Sequence, residues 1–207
     1  MIESHDDMRA GARRFSPDRN TDDPDQAVDA LLSGLAWDRT ELTFAFPDAP
    51  EDFPDSYPDS SASRMHPFSE TQKDVMRDVL DIFEGVSGLR FLEESLDDVP
   101  ADRIDMLFAE ADGVGTAYAY YPGDGVEAGD AFFNPSVYEA PVPGTYAHQT
   151  MMHEIGHAMG LKHGHWPNDP TTGERPGRLP EDRNSHEYSI MTFMSSTQNV
   201  SGDPYTN

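Results

Sequence analysis

The run His153-Glu154-Ile155-Gly156-His157-Ala158-Met159-Gly160-Leu161-Lys162-His163 constrains this 207-residue chain more than any other stretch. On a helix, His153 and His157 stand four apart and project from one face, one turn above the other. Two neutral imidazoles placed in this way can share one zinc ion. Glu154 sits one residue round from His153, near such an ion but badly placed to ligate it. That is where a general base for a metal-activated water belongs. His163 is ten residues beyond His153, which on a continuous helix means about 15 Å along the axis and roughly 80° of rotation away. For all three histidines to share one ion, the helix must stop after His157 and the chain must turn back. Gly160 can take the left-handed conformation that ends a helix cheaply.

The pattern H-E-x-x-H-x-x-G-x-x-H resembles the signature of the metzincin zinc peptidases. Tyr188-Ser189-Ile190-Met191-Thr192-Phe193 resembles the tight turn whose methionine, here Met191, lies beneath the metal in that group. Residues 153–161 are similar to the serralysin-like branch, bacterial secreted peptidases often joined to calcium-binding glycine repeats. The likeness extends over 31–37, 42–47, 86–91, 117–124 and 129–134. It implies an α+β fold, with a mixed twisted sheet, an edge strand for substrate, an active-site helix and a Met-turn. It implies one catalytic Zn²⁺ on His153, His157 and His163, Glu154 as the catalytic base and Met191 as support. It also implies that Ala131, Phe132, Phe133 and Asn134 form the edge strand that takes substrate. A serralysin-like zinc metalloendopeptidase of this kind is a secreted, extracellular monomer acting on proteins or peptides. The alternative is a catalytically silent zinc domain that binds peptides or a protein partner. Glu154 argues against it, because a binding-only site needs no base.

Three departures stand out. Phe193 occupies the place of a tyrosine whose phenol can reach the metal in this branch, so three protein ligands plus water are expected. Gly164 follows the third histidine where the branch usually has proline. No glycine-rich repeats follow, and the helix that closes such a catalytic domain is expected to be missing.

Charge narrows the partners. The 39 acidic residues against 14 basic ones give a formal charge of −25, a field that repels nucleic acid. No apolar run is long enough to span a membrane, and 1–15 lacks the apolar segment of a secretory signal peptide. With no cysteine in the chain, histidine and carboxylate remain as metal ligands.

Residues 1–24 read as a disordered leader or a short prosegment, and 25–207 as the catalytic domain. Residues 25–33 suggest a short helix and 42–46 a strand ending at Pro47. The Pro-, Asp- and Ser-rich stretch 47–67 reads as a long loop whose Phe53 and Tyr57 anchor it to the domain, with His66 structural. Ser69 and Gln72 form a capping box ahead of a helix to about Val86, which Gly88 ends. Strands are expected from Leu89 to Leu92 and from Ile104 to Phe108. Asp112, Asp124, Glu127 and Asp130 could bind a structural Ca²⁺, although ordinary turn chemistry is the preferred reading. On the helix 145–159, His148 points roughly 140° from His153, away from any metal. His165 competes in principle with His163 as third ligand, and His186 near the turn is a spare.

Overall fold

The structure, a computed structural model, describes residues 9–15, 26–139, 141–164 and 179–193. In chain order the elements are β1 (Ala12–Arg14), α1 (Gln26–Asp29), β2 (Leu35–Trp37), β3 (Glu41–Ala45), β4 (Met65–His66), α2 (Glu70–Ser87), β5 (Arg90–Glu93), β6 (Met106–Ala111), β7 (Ala117–Ala119), β8 (Ala131–Phe133) and α3 (Tyr146–Ala158). They fall into two compact units. The first takes residues up to 13 together with 37–159, and the second takes 14–36 and the chain from 160 on.

The first unit is built on a sheet of order β5-β3-β6-β8-β7, with β4 antiparallel to β6. The pairs β3–β5, β3–β6 and β6–β8 are parallel, and β7 runs antiparallel to β8. Because side chains alternate along a strand, each face has its own core. Leu42, Phe44, Met106, Phe108, Ala131 and Phe133 meet Val75, Met76 and Val79 of α2 and Met151, Ile155 and Ala158 of α3. On the other face, Ala45, Leu107, Ala109 and Phe132 meet Phe53, Ala62 and Met65 of the 47–67 loop. With apolar partners on both sides, every residue of β6 is buried.

The capping box is present as the sequence suggests. Ser69 Oγ accepts from the Gln72 amide, and the Gln72 side chain returns to the Ser69 amide. Gly88 closes α2 in the left-handed region, at φ 73°. The second apolar strand starts later than expected, at Met106, because Ile104 ends a 3₁₀ turn over Ala101–Arg103. The anchoring role of the long loop holds. The Phe53 ring lies 5.8 Å from that of Phe132, and the Tyr57 hydroxyl donates to Asp130 at 2.6 Å. His66 pairs with Asp112 at 3.2 Å, a structural contact.

Two expectations are corrected here. Residues 131–134 do not make the edge strand: β8 lies between β6 and β7, and Ala131, Phe132 and Phe133 are completely buried. The edge is β7, with register Ala117↔Phe133, Tyr118↔Phe132 and Ala119↔Ala131. Residues 9–15, within the stretch expected as a disordered leader or short prosegment, are not a solvated tail but pack against the domain. Arg9 lies 3.6 Å from the buried Asp130 carboxylate and donates to the carbonyls of Asp105, Val126 and Ala128. The Ala10 amide donates to the Asp105 carboxylate, and Ala10 joins the main core. Residues 1–8 and 16–25 of that leader lie outside the described residues.

Trp37 ties the sheet side of this unit to the end of α3. Its indole N–H donates to the Ala158 carbonyl at 2.9 Å, and the ring is buried.

Backbone hydrogen bonds join the described segments of the second unit. Leu32 bridges Leu161, the Ser33 amide donates to Gly160, and the Lys162 amide donates to Leu31. The Gly164 amide donates to the Met191 carbonyl at 3.2 Å, a bond that proline could not make. A Cβ at position 164 would also stand 2.2 Å from Leu179 Cδ1, which explains the glycine.

Candidate metal centre and active site

Helix α3 begins at a Thr145 cap, whose hydroxyl accepts from the His148 amide, and carries His153, Glu154 and His157 in its last two turns. All three side chains are buried. The two imidazoles stand edge to face with ring centroids 4.7 Å apart, and their ligand nitrogens lie within 4.8 Å of one another. The four-residue spacing thus gives the shared face that the sequence requires. The Tyr121 ring meets His157 edge-on at 5.4 Å. His148, on the same helix, is half-buried.

Glu154 faces the strand beside it. The Tyr120 amide donates to the Asp130 carbonyl at 2.9 Å, so by the alternation of an antiparallel pair the Ala119 amide points away from β8. That outward amide faces the Glu154 carboxylate closely enough to favour its ionised form. The carboxylate oxygen Oε2 is buried with no hydrogen-bond partner among the described residues. Burial pushes the Glu154 carboxyl up to about 8, against the pull of the Ala119 amide. A cation beside it would draw that value down again.

The helix ends as the sequence demands. Met159 is the C-cap and Gly160 takes φ 95°, so the chain leaves the helix axis within three residues of His157. His163 belongs to the second unit and is buried there, with its ring 4.6 Å from that of Phe193. Met191 is fully buried in the same unit. His186 Nε2 donates to the Thr192 carbonyl, 2.7 Å away, and so braces the turn. His165 lies outside the described residues.

The donor chemistry fits zinc, since three buried imidazoles offer neutral nitrogen ligands within reach of one another. Of the four acids that could have held calcium, and for which turn chemistry is the preferred reading, three have other partners. Asp112 pairs with His66, Asp124 accepts from the Ala12 amide, and Asp130 takes Tyr57, the Leu107 amide and Arg9. These four acids form no metal-holding group among the described residues.

Two contributors have no side-chain signature in the sequence. The Ala119 amide acts through its backbone, and Tyr121 adjoins His157 only because β7 is the edge strand. The nearest available signal is the alternation of small and aromatic residues over 117–121.

An α+β fold with a mixed sheet and an H-E-x-x-H helix is that of the metzincin metallopeptidases. Within that class the chain is similar, at modest identity, to the serralysins. It is 40% identical over 89 residues to Serralysin A of Dickeya chrysanthemi, covering 42% of this chain and 18% of that protein. It is 31% identical over 192 residues to Metalloprotease AprA of Pseudomonas entomophila, covering 83% of this chain and 37% of the relative. Matrix metalloproteinase-2 of Drosophila melanogaster is 29% identical over 221 aligned positions, covering 95% and 26% respectively. The chain therefore spans well under half the length of each of these relatives. No family model matches it.

Proposed function

We propose that the chain is a zinc-dependent endopeptidase that hydrolyses protein or peptide substrates, outside the cell as its resemblance implies. The observation that carries this reading is Glu154, a buried carboxylate on the helix that carries two buried imidazoles, facing the Ala119 amide and unpartnered at Oε2 among the described residues. A structural glutamate would use both oxygens or face solvent.

In this reading His153, His157 and His163 hold one Zn²⁺. When bound, the ion supplies Lewis acidity, polarising a carbonyl and making water acidic near neutral pH. The protein's own groups do the rest. Glu154 Oε2 accepts a proton from the attacking water, and the same carboxyl returns it to the departing amine. The Ala119 amide, facing the carboxylate, favours its ionised, proton-accepting form. Met191 is the support that the resemblance assigns, with no part in proton transfer. Phe193 adds an apolar wall against His163 and offers no donor to a developing oxyanion. Substrate pairs with the open side of β7, since Ala117 presents both N–H and C=O away from β8.

The test is cleavage of an unfolded, lysine- and arginine-rich protein by the zinc-loaded chain beside Glu154→Gln, each shown to hold one zinc. The variant is expected to lose about 100- to 10,000-fold in rate while keeping its metal. Equal rates would remove Glu154 as base. Zinc binding without cleavage by the parent would leave the silent binding domain instead.

A further inference from the structure

Beyond the histidine helix, the loop face of the sheet carries a second built arrangement. Tyr118 and Tyr120 alternate with Ala117 and Ala119, so both phenols lie on the face away from α3. Both hydroxyls converge on Asp59 Oδ2, Tyr120 at 2.8 Å and Tyr118 more closely. The Tyr118 hydroxyl also lies 2.7 Å from Ser61 Oγ, and Ser61 is buried. Asp59 itself is fixed by the Ser61 amide, which donates to Oδ1 at 2.8 Å. Burial works to raise the Asp59 carboxyl, but hydrogen bonds from Tyr118, Ser61 and Tyr120 hold it below its ordinary value. The two tyrosine rings meet edge to face at 5.9 Å, and Tyr118 rests on Phe132 at 5.7 Å.

β7 needs such a hold. It is three residues long with a strand on one side only, the kind of element that frays first. A substrate that adds to it as a further strand must find it already extended, or must supply the ordering itself. We propose that Asp59 is a positioning residue for substrate: by holding Tyr118 and Tyr120 together, it keeps the open edge of β7 extended and ready to pair with a peptide. This rests on the peptidase reading above. Asp59 bonds to the tyrosines on the face away from α3, so its effect falls on binding of peptides long enough to pair with the strand.

The experiment uses the zinc-loaded chain, Asp59→Ala, Asp59→Asn and the double variant Tyr118→Phe with Tyr120→Phe. Each is assayed on a fluorogenic peptide of about ten residues and on one of about four, and amide hydrogen exchange is followed in the segment 116–121. Expected for Asp59→Ala and the double variant are a KM for the long peptide raised about 5- to 10-fold, kcat within about twofold, and little change for the short one. Exchange in 116–121 should quicken about tenfold while that of β6 stays unchanged. Asp59→Asn keeps an acceptor oxygen and should fall between. An active parent whose variants show unchanged KM and exchange overturns the inference alone. So does a loss confined to kcat and equal for both peptides, which reports less folded enzyme. A parent that cleaves neither peptide overturns the peptidase reading, and the positioning role with it.

Discussion

The two edges of the sheet use the same device for different ends. At β5, the outward Phe91 amide donates to Glu84 of α2 at 3.1 Å. At β7, the outward Ala119 amide faces Glu154 of α3 and favours its ionised form. Backbone amide and helix glutamate are alike in both pairs. What differs is everything around them. Glu84 is half-buried on a helix that ends in exposed residues, and β5 is guarded by Arg90 and by Glu93, which Arg77 grips with two bonds of 2.6 and 2.8 Å. Glu154 is buried beside two imidazoles, and β7 offers only alanines on its helix side. Charge closes one edge to further strands; the other is left small and uncharged. On the proposed reading, burial and basic neighbours are what separate a glutamate that serves as base from one that only faces an edge strand.

The largest effect should come from Ala119→Pro. An edge strand accepts proline at an outward position, so the fold should persist, but Glu154 loses the amide that faces it and the strand loses part of its open side. Proteolytic rate is expected to fall on the order of 100-fold with zinc content unchanged, by metal analysis beside a peptide assay. Retained activity would show that this amide does not matter and would erase the contrast between the edges.

Next in size is a pH effect confined to the β7 side. Burial pushes the Asp130 carboxyl up to about 8, against Arg9, Tyr57 and the Leu107 amide, which pull it down. The fold then binds this proton more tightly than the unfolded chain does. The stabilisation is complete below the unfolded value near 4 and erodes as pH rises toward about 8, at up to about 1.4 kcal/mol per pH unit. Melting followed from roughly pH 5.5 to 9 with zinc present should show this slope in the parent and its absence in Asp130→Asn. A constant difference between the two across that range would mean that Arg9 keeps Asp130 ionised throughout.

The smallest effect belongs to the guarded edge. Glu84→Gln retains an oxygen for the Phe91 amide and should cost no more than about 1 kcal/mol by denaturant titration, with peptidase activity unchanged. A loss of activity there would mean that the edges are coupled.

Much of this was legible from local spacing. His153 and His157 share a face because a helix repeats every 3.6 residues, and Gly160 stops it because glycine alone enters positive φ without strain. The Ser69 cap and Gly88 stop read off in the same way. Strand order did not, because it is set by pairings far apart in sequence. Residues 117–121 and 131–134 are both short and aromatic, and nothing local says which lies outside. Arg9 looked like part of a solvated tail among aspartates, since its partners Asp105 and Asp130 are more than ninety residues away. Ala119 acts through an amide that every residue but proline possesses.

Trp37 gives the molecule an optical handle. Its indole is buried and bonded to the carbonyl of Ala158, the residue immediately after His157. Loosening of the last turn of α3 wets that ring and moves its emission to the red, so the seating of the histidine helix registers in the light the protein gives back, with no dye or label attached.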